Sequence, residues 1–563
     1  MRKLILFSFA ILCFACSKVQ CQNTDGLFQN IIDSLDRVSP VNMPNVKPLG
    51  MAYVIKVRNQ DQFDKVETRI IEAIKAGRKN LVVKISGGTF KFRENHISLD
   101  NLVLEDVSIT IKGRNSVITS DDGSSNNIYH ITHKGDLIMA DSLIEVVNDK
   151  EKLCKIPFLN AMAASDVTFC KEVQITQWYK APVYQVNRID QSGIYFIAPE
   201  LEYKNQFGRS GYNVNYDYMY ADKTPRFRLY DKRKERPCTA SCFLRISNSA
   251  LKCVTIQNIS FKGNKEGSSL ITMSSVKASK VLVRKCNFDY IRSRVASFSG
   301  TDNVLFDNNV ITNTAGNELF FNGGSNNVRV TNNQFKDCGL AIANTFCVTC
   351  KECSYYVANN TFCDFGYAAI GVGVWHGSTK ESPSRGIIEH NEFYFTTSYF
   401  ANALKYTLMD SGAIYMWTQN DEVVIRYNFI HDYVGAGSNR GIFCDDGACN
   451  LKIYSNVILN IPNSYCIDSR KSNDQHKGLT NNANNFMAHN VMDGRMRFQG
   501  YGEEERHCVK GANYFVKGDN VIENQYDGLE VSQKDVVITR LQEIKDSKLS
   551  KMIKGFKISG GSY

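Results

Sequence analysis

Three aspartates stand in two short segments that are otherwise rich in glycine and aromatic residues. Asp445 and Asp446 follow one another in GIFCDDG, and Asp410 begins DSGAIYMW. Hydrolysis of a glycosidic bond needs two carboxyl groups, one as acid and one as nucleophile or base. These aspartates are therefore candidate catalytic residues, although Asp and Gly are also ordinary turn residues.

The segments that contain these aspartates align with each other without gaps. When Asn428 is matched to Asn456, Trp417 takes the same position as Asp445. Successive side chains of a strand face opposite sides, and the apolar alternation predicts that Tyr415 and Trp417 point outward. A flat aromatic ring beside a carboxylate is the composition of a sugar-binding subsite.

A related stretch, AAIGVGVW, lies one unit earlier and predicts that Trp375 also faces outward. His376 follows it and begins a loop, where binding residues are common on rigid scaffolds. His431, in NFIHD, is a candidate to bind substrate or to orient an acid. Glu318 and Glu389 are further carboxylates that we expect at the surface.

An eight-residue pattern positions all of these candidates. It first reads VLVRKCNF from Val281, alternates apolar and polar residues as a strand does, and recurs down to NFMAHNVM from Asn485. Its sixth residue is Cys286 in the first unit and Asn afterwards, at Asn309, Asn333, Asn360, Asn391, Asn428, Asn456 and Asn490. Stacked strands with a turn at Asn predict a right-handed parallel β-helix, in which Asn adopts the left-handed turn conformation and bonds amide to amide.

The flanks divide the rest of the chain. Residues 1–22 resemble a signal peptide, because Arg2 and Lys3 precede about a dozen apolar residues. Cys16 is an alternative lipid-anchor site. We expect an N-terminal cap and first coils over 23–125 with an amphipathic helix over 62–77, an inserted β-rich module over 126–245, the main β-helix over 246–525 and a C-terminal tail over 526–563.

The composition excludes several other classes of protein. With 563 residues, 43% of them hydrophobic and 22% charged, the chain is globular rather than disordered. The formal charge is +10 without a run of five basic residues, so nucleic acid is not an expected partner. Cys347, Cys350 and Cys353 form a CxxCxxC run that we interpret as interior residues, with neither a metal nor a cofactor expected.

The motifs FGYAAIGVGVW, DSGAIYMW, VIRYNFIHD and GIFCDDG, in that order, resemble those of bacterial right-handed parallel β-helix glycoside hydrolases of the α-L-fucosidase, xylanase and β-xylosidase type. The resemblance implies a catalytic pair at Asp410 and Asp445, with Asp446 and His431 in support. Asp410 is seven residues before Trp417, or roughly 23 Å in an extended chain. The pair therefore requires the chain to fold back at Asp410.

Two alternatives stay open beside hydrolysis of a polysaccharide or oligosaccharide. A polysaccharide lyase would use a basic side chain, for which Arg385, Arg440 and Arg470 are available. A non-catalytic glycan-binding surface protein is the other. In each case we expect a bacterial protein that is exported to the periplasm, held as an outer-membrane lipoprotein or secreted, without a transmembrane segment.

Overall fold

The computed structural model describes residues 24–120 and 240–396 (except 266, 293, 340–344 and 374–383), 411–470 (except 418–419, 434–439 and 462–464) and 485–498. It also describes separate strands between residues 138 and 230 and between 509 and 562. Asp410, Trp375, His376 and Cys16 lie outside the described residues, as does nearly all of 526–563.

The main body is a right-handed parallel β-helix, as the repeat predicts. Each coil contributes one strand to each of three parallel faces, and each strand pairs with its counterpart in the next coil. We name these faces A, B and C in the order in which the chain visits them.

Face A consists of Ala296–Ser299, Leu319–Asn322, Phe346–Cys350, Ala368–Val372, Gly412–Met416, Arg440–Cys444, Tyr465–Ser469 and Arg495–Phe498. Face B consists of Val304–Asp307, Val328–Thr331, Ser354–Ala358, Ser384–Glu389, Asn420–Arg426, Leu451–Tyr454, Phe486–Ala488 and Val509–Gly511. Face C consists of Asn287–Asp289, Val310–Thr312, Gln334–Cys338, Thr361–Phe365, Glu392–Tyr394, Phe429–His431, Val457–Leu459, Val491–Met492 and Tyr514–Lys517.

The first coils use longer strands. They are Tyr53–Val57, Asn80–Lys91, Ile97–Ser98, Val103–Thr119, Leu244–Gln257, Ser260–Lys262 and Ile271–Arg284. Leu244–Gln257 pairs in parallel with Val103–Thr119, so the chain leaves the β-helix after one strand and rejoins it at the next. The short strands Asn520–Ile522, Lys557–Ile558 and Gly561–Ser562 follow the last coil.

A separate antiparallel sheet lies between these two strands in the sequence, as the inserted-module prediction requires. Its seven strands are Ile138–Met139, Glu145–Asn148, Leu153–Pro157, Glu172–Thr176, Val183–Asp190, Gly193–Ile197 and Arg226–Tyr230. The domain boundaries given above remain predictions.

The asparagine ladder is present at the turn from face B to face C. Each ladder amide donates to the side-chain oxygen of the next ladder Asn at 2.9 or 3.0 Å, from Asn309 through to Asn490. Asn513 accepts the last of these bonds and extends the ladder by one coil. Because the same oxygens also accept backbone N–H groups, the buried amides are satisfied without water.

The prediction that the ladder asparagines themselves adopt the left-handed backbone conformation is wrong by one position. The residue before each ladder Asn has the left-handed conformation, for example Asn308 at φ 54° and Tyr427 at φ 55°, and the ladder residues themselves do not. The ladder position therefore requires Asn for its side-chain hydrogen bonds, whereas the preceding position absorbs the turn.

Helices close one end of the β-helix and cover part of one face. The predicted amphipathic helix is confirmed as Gln60–Asp64 and Val66–Lys75, which bury Phe63, Val66 and Ile70 in the main core. A further helix, Thr24–Asp36, packs on the outside of face B through Ile32 and Leu35. Among the described residues, no helix is both long and apolar enough to cross a membrane.

Candidate functional site

The outer side of face A carries two columns of side chains that run from coil to coil. In the first column Tyr415 pairs with Phe443, Phe443 with Asp468, and Asp468 with Arg497. The register between Ile414 and Ile442 in the core confirms the inward and outward assignment made from the sequence.

The second column begins two residues further along each strand. It contains Trp417, Asp445 and Arg470, because the backbone N–H of Asp445 bonds to Met416 at 2.9 Å and that of Arg470 bonds to Cys444 at 2.8 Å. The predicted alignment of Trp417 with Asp445 is thus confirmed.

In the preceding coil, the residue in register with Trp417 is Gly373 and not Trp375, because Val372 pairs with Met416. A Cβ atom at Gly373 would lie 3.1 Å from the Cβ of Trp417, so the tryptophan covers this glycine. Trp375 follows two residues later, outside the described residues.

Asp445 directly follows the strand Arg440–Cys444 and is partly buried. The hydroxyl of the buried Tyr415 donates to its Oδ2 at 2.6 Å, and the backbone N–H of Asp446 donates to its Oδ1 at 3.0 Å. Donors of this kind favour the charged carboxylate, which is the form that a general base or a nucleophile needs.

Asp446 belongs to the turn that follows. It is buried and has φ 50°, and Gly447 has φ 75°. The DDG sequence is therefore both a turn and the place where a carboxylate reaches the outer surface: Asp445 supplies the surface carboxylate, and the next two residues supply the turn.

Aromatic side chains form a cluster beside Asp445. Phe346, Tyr367, Tyr415 and Phe443 pack together, with the partly buried Trp417 against them. Trp417 lies 5.0 Å from the ring of Phe346 and 5.3 Å from that of Tyr415, both nearly edge to face. The buried rings support the indole in one orientation, so that its remaining exposed surface can contact a sugar ring.

Asp468 is the site residue that the sequence analysis missed. Its carboxylate is fully buried and accepts hydrogen bonds from Arg440 at 2.8 Å, Arg470 at 3.2 Å and Arg497 at 2.6 Å through both of its oxygens. Burial disfavours the charge, but the bonds from Arg497 and the charges of the other two arginines hold the pKa of Asp468 below its usual range. The strand YCIDS would have predicted an outward Asp468, had the alignment been extended by one unit.

The arginines also stack on aromatic rings. Arg440 and Arg470 lie 4.1 and 5.0 Å from the centre of the Phe443 ring, and Arg497 lies 4.3 Å from that of Tyr465.

A strand spacing of about 4.8 Å and a rise of about 3.3 Å per residue put the Cα atoms of Asp445 and Asp468 about 8 Å apart. Since Asp468 is held ionised, it does not fit the role of proton donor to a leaving group.

His431 lies on face C and not among the residues of face A. Its ring stacks between Phe429 and Tyr394 at 4.1 and 5.1 Å, and its nitrogens contact Asp432 at 2.8 Å and Glu392 at 3.4 Å. Burial opposes protonation, but the hydrogen bonds and charges of Asp432 and Glu392 outweigh it and raise the pKa of the imidazole.

The two glutamates expected at the surface are buried, so that prediction is wrong. Glu389, on the outer side of face B, bonds to Arg426 at 2.6 Å and is covered by the N-terminal segment, whose Leu35 carbonyl also accepts from Arg426. Glu318 is fully buried inside the β-helix, where burial raises its pKa to about 7.

Cys347, Cys350 and Cys353 are all buried in the core, and burial raises the pKa values of the Cys347 and Cys350 thiols. Within the described part of the chain, no group of three His, Cys, Asp or Glu side chains has the geometry of a metal site. Thiols of this kind behave as small hydrophobic side chains.

Solved structures resemble this chain at low similarity. One described as "Glycoside hydrolase" aligns with a TM-score of 0.46 and 10% identity, over 82% of this chain and 95% of that one. A complex of XylC with xylose aligns with a TM-score of 0.38 and 8% identity, over 78% and 75%. PfbA, a surface adhesin of Streptococcus pneumoniae, aligns with a TM-score of 0.33 and 12% identity, over 77% and 82%. No family model and no curated protein matches the sequence.

Proposed function

We propose that this chain is an exported carbohydrate-active enzyme, a glycoside hydrolase that cleaves a plant or host polysaccharide on the outer side of face A. The observation that carries the proposal is the Asp445 carboxylate, which Tyr415 holds at 2.6 Å beside the supported indole of Trp417. A carboxylate that is fixed next to an aromatic surface is what a cleavage subsite requires.

In this proposal Asp445 acts as nucleophile or general base, because both of its oxygens accept hydrogen bonds. Asp410 is proposed as the second carboxyl group, the proton donor to the leaving oxygen. Trp417 binds the sugar ring by stacking, and Tyr415 positions Asp445. Trp375 and His376 are proposed to extend the substrate-binding surface, and Asp446 to support it through the turn that follows Asp445. His431 is not proposed for this site, because it lies on face C.

A polysaccharide lyase acting on a uronate-containing glycan is the second candidate, and the arginines around Asp468 favour it. Arginine can neutralise a uronate carboxylate, after which a base removes the neighbouring carbon-bound proton and the glycosidic oxygen leaves. The two reactions differ in their products, since the lyase leaves a carbon–carbon double bond that absorbs ultraviolet light and the hydrolase does not.

Asp445→Asn in the purified full chain tests the proposal against a panel of plant and host glycans. We expect the release of reducing sugar to fall by about a hundredfold or more, as for the loss of an essential acid or base. Asp421→Asn is the matched control, because Asp421 is an exposed carboxylate on face B whose ion pair with Arg385, at 3.6 Å, is exposed to solvent.

Three results would count against hydrolysis. Equal activity of Asp445→Asn and the control would remove Asp445 from the reaction. Products that absorb in the ultraviolet would identify a lyase. Binding of a glycan without any cleavage by the unmodified chain would favour the non-catalytic glycan-binding alternative.

Export is proposed from the leader alone, residues 1–22, and lipid attachment at Cys16 is the alternative to simple cleavage. The mass of the mature N-terminal peptide decides between simple cleavage near residue 22 and a lipid on Cys16. We expect Cys16→Ala to release the protein from the membrane fraction if the lipid is present, and to leave its distribution unchanged after simple cleavage.

A further inference from the structure

The coil that follows Asp445 concentrates positive charge on the outer side of face A. Arg440, Arg470 and Arg497 all contact the single carboxylate of Asp468. Three positively charged side chains thus meet at one carboxylate, at a position where face A continues past the aromatic cluster.

We propose that Arg470 and Arg497 form a subsite for an acidic sugar, whose carboxylate or sulfate group they bind next to the bond that is cleaved. The inference rests on the proposed function, and it specifies the class of substrate: a glycan with a negatively charged residue on the far side of Asp445 from Trp417.

The three arginines are not equivalent, and their exposure separates their roles. The side chain of Arg440 is 2% exposed, whereas those of Arg470 and Arg497 are 15% and 17% exposed. Arg440 is therefore enclosed between Asp468 and the ring of Phe443 and serves the fold. Arg470 and Arg497 reach the surface and can contact a ligand.

Asp468 acts as a positioning residue for the guanidinium groups of the partly buried Arg470 and Arg497. Its Oδ2 accepts the Nε–H groups of Arg440 and Arg470 and the Nη2–H of Arg497, and its Oδ1 accepts the Nε–H of Arg497. Arginine that is already held in place loses less conformational freedom on binding an anion, and its planar fork suits a carboxylate or a sulfate.

The register places this subsite beside the proposed cleavage point. Arg470 follows Asp445 in the second column, since its backbone N–H bonds to Cys444 at 2.8 Å. Arg497 follows Asp468 in the first column. From Trp417 to Asp445 to Arg470, the outer surface thus changes from aromatic to acidic to basic over three successive coils, each about 4.8 Å apart.

The test measures binding separately from catalysis. Isothermal titration calorimetry on the full chain carrying Asp445→Asn uses a panel of uronate glycans (polygalacturonate, alginate, glucuronoxylan) and a sulfated glycan without uronate (carrageenan). Each is paired with its carboxyl-reduced or desulfated counterpart. We expect at least one acidic glycan to bind about tenfold or more tightly than its neutral counterpart, with an affinity that falls as salt is raised. The acidic glycan with the largest gain in affinity over its neutral counterpart shows whether the anion is a carboxylate or a sulfate.

Substitutions of single arginines identify the side chains that bind the acidic group. Arg497→Gln and Arg470→Gln are each expected to reduce the affinity for the acidic glycan about tenfold while leaving that for the neutral one unchanged. Arg385→Gln, which removes an exposed arginine from face B, is the matched control. Arg497→Lys keeps the positive charge but cannot donate two parallel hydrogen bonds, so we expect an intermediate loss of affinity for the acidic glycan. The melting temperature of each variant is measured as well, because an unchanged value shows that the loss of affinity does not come from misfolding.

Equal binding of acidic and neutral glycans, binding of none of the acidic glycans, or equal effects of Arg497→Gln and Arg385→Gln would overturn the inference. The proposed hydrolysis fails on a different result, namely unchanged cleavage by Asp445→Asn. If the chain binds acidic glycans but cleaves none, the subsite proposal stands and the proposed hydrolysis fails. If it cleaves neutral glycans alone, the proposed hydrolysis stands and the subsite proposal fails.

Discussion

Replacement of Glu318 by glutamine should remove a large pH dependence of stability. Glu318 has no exposed surface, and its Oε1 accepts from the Thr314 hydroxyl at 2.5 Å and from the Gly339 N–H at 3.2 Å. Among the described residues, none forms a hydrogen bond with its Oε2. Burial raises the pKa of this carboxyl from 4.5 to about 7.

The sign and size follow from the two pKa values. Because the folded protein holds the proton more tightly than the unfolded chain, the stabilising contribution is complete below pH 4.5 and is lost as pH rises through about 7. At about 1.4 kcal/mol per pH unit, the loss is about 3 kcal/mol. Glutamine keeps the acceptor for Thr314 and does not ionise, so Glu318→Gln should gain about 3 kcal/mol over the unmodified chain between pH 4.5 and pH 8.

Urea unfolding at pH 4.5 and pH 8 measures this difference, and the comparison between the two pH values cancels any constant packing change. Glu422→Gln is the matched control, because Glu422 is exposed on face B. If Glu318→Gln and the unmodified chain differ by the same amount at both pH values, the buried carboxyl does not titrate as argued and the reasoning is refuted.

Three further predictions concern other buried polar groups. His96 is buried against Phe63, and burial lowers its pKa from 6.5 to about 4. Its contribution to stability is therefore complete above pH 6.5 and is lost as pH falls toward 4. In urea titrations, His96→Gln should abolish about 3 kcal/mol of this loss, and an unchanged dependence of the unfolding free energy on pH would contradict the prediction. Asn360→Ala breaks the ladder bonds to Asn333 and Asn391 and should lower the unfolding free energy by about 3 kcal/mol, whereas Asn326→Ala at an exposed position should cost little. Tyr415→Phe removes the donor to Asp445 and should lower kcat about tenfold or more with KM and melting temperature nearly unchanged; a changed KM with constant kcat would assign Tyr415 to binding instead.

The repeat was readable from the sequence because stacking makes the same demand in every coil. A ladder Asn must bond to the Asn above and below it, and an inward residue must be apolar, so both patterns recur and predict the fold and the register. The same register predicts from the sequence that Asp445 lies beside Trp417, as the structure has it. Local alternation was sufficient for each of these conclusions.

The sequence could not show which polar residues are covered. Glu389 is on the outward position of its strand, yet the distant helix Thr24–Asp36 and the residues directly after it cover it together with Arg426. Asp468 was overlooked because its role depends on arginines from the preceding coil, its own coil and the following one. His431 stands next to the site motifs in the chain, but the turn carries it to another face.

These errors have a common physical reason. The period of a strand determines on which side of the sheet a residue lies, whereas burial and charge on the outer side depend on whatever segment packs there from elsewhere in the chain. The sequence by itself therefore determined the β-helix, its register and Asp445 as an outward carboxylate. The tertiary structure alone decided that Glu318 and Glu389 are buried, and that three arginines converge on Asp468 beside the proposed site.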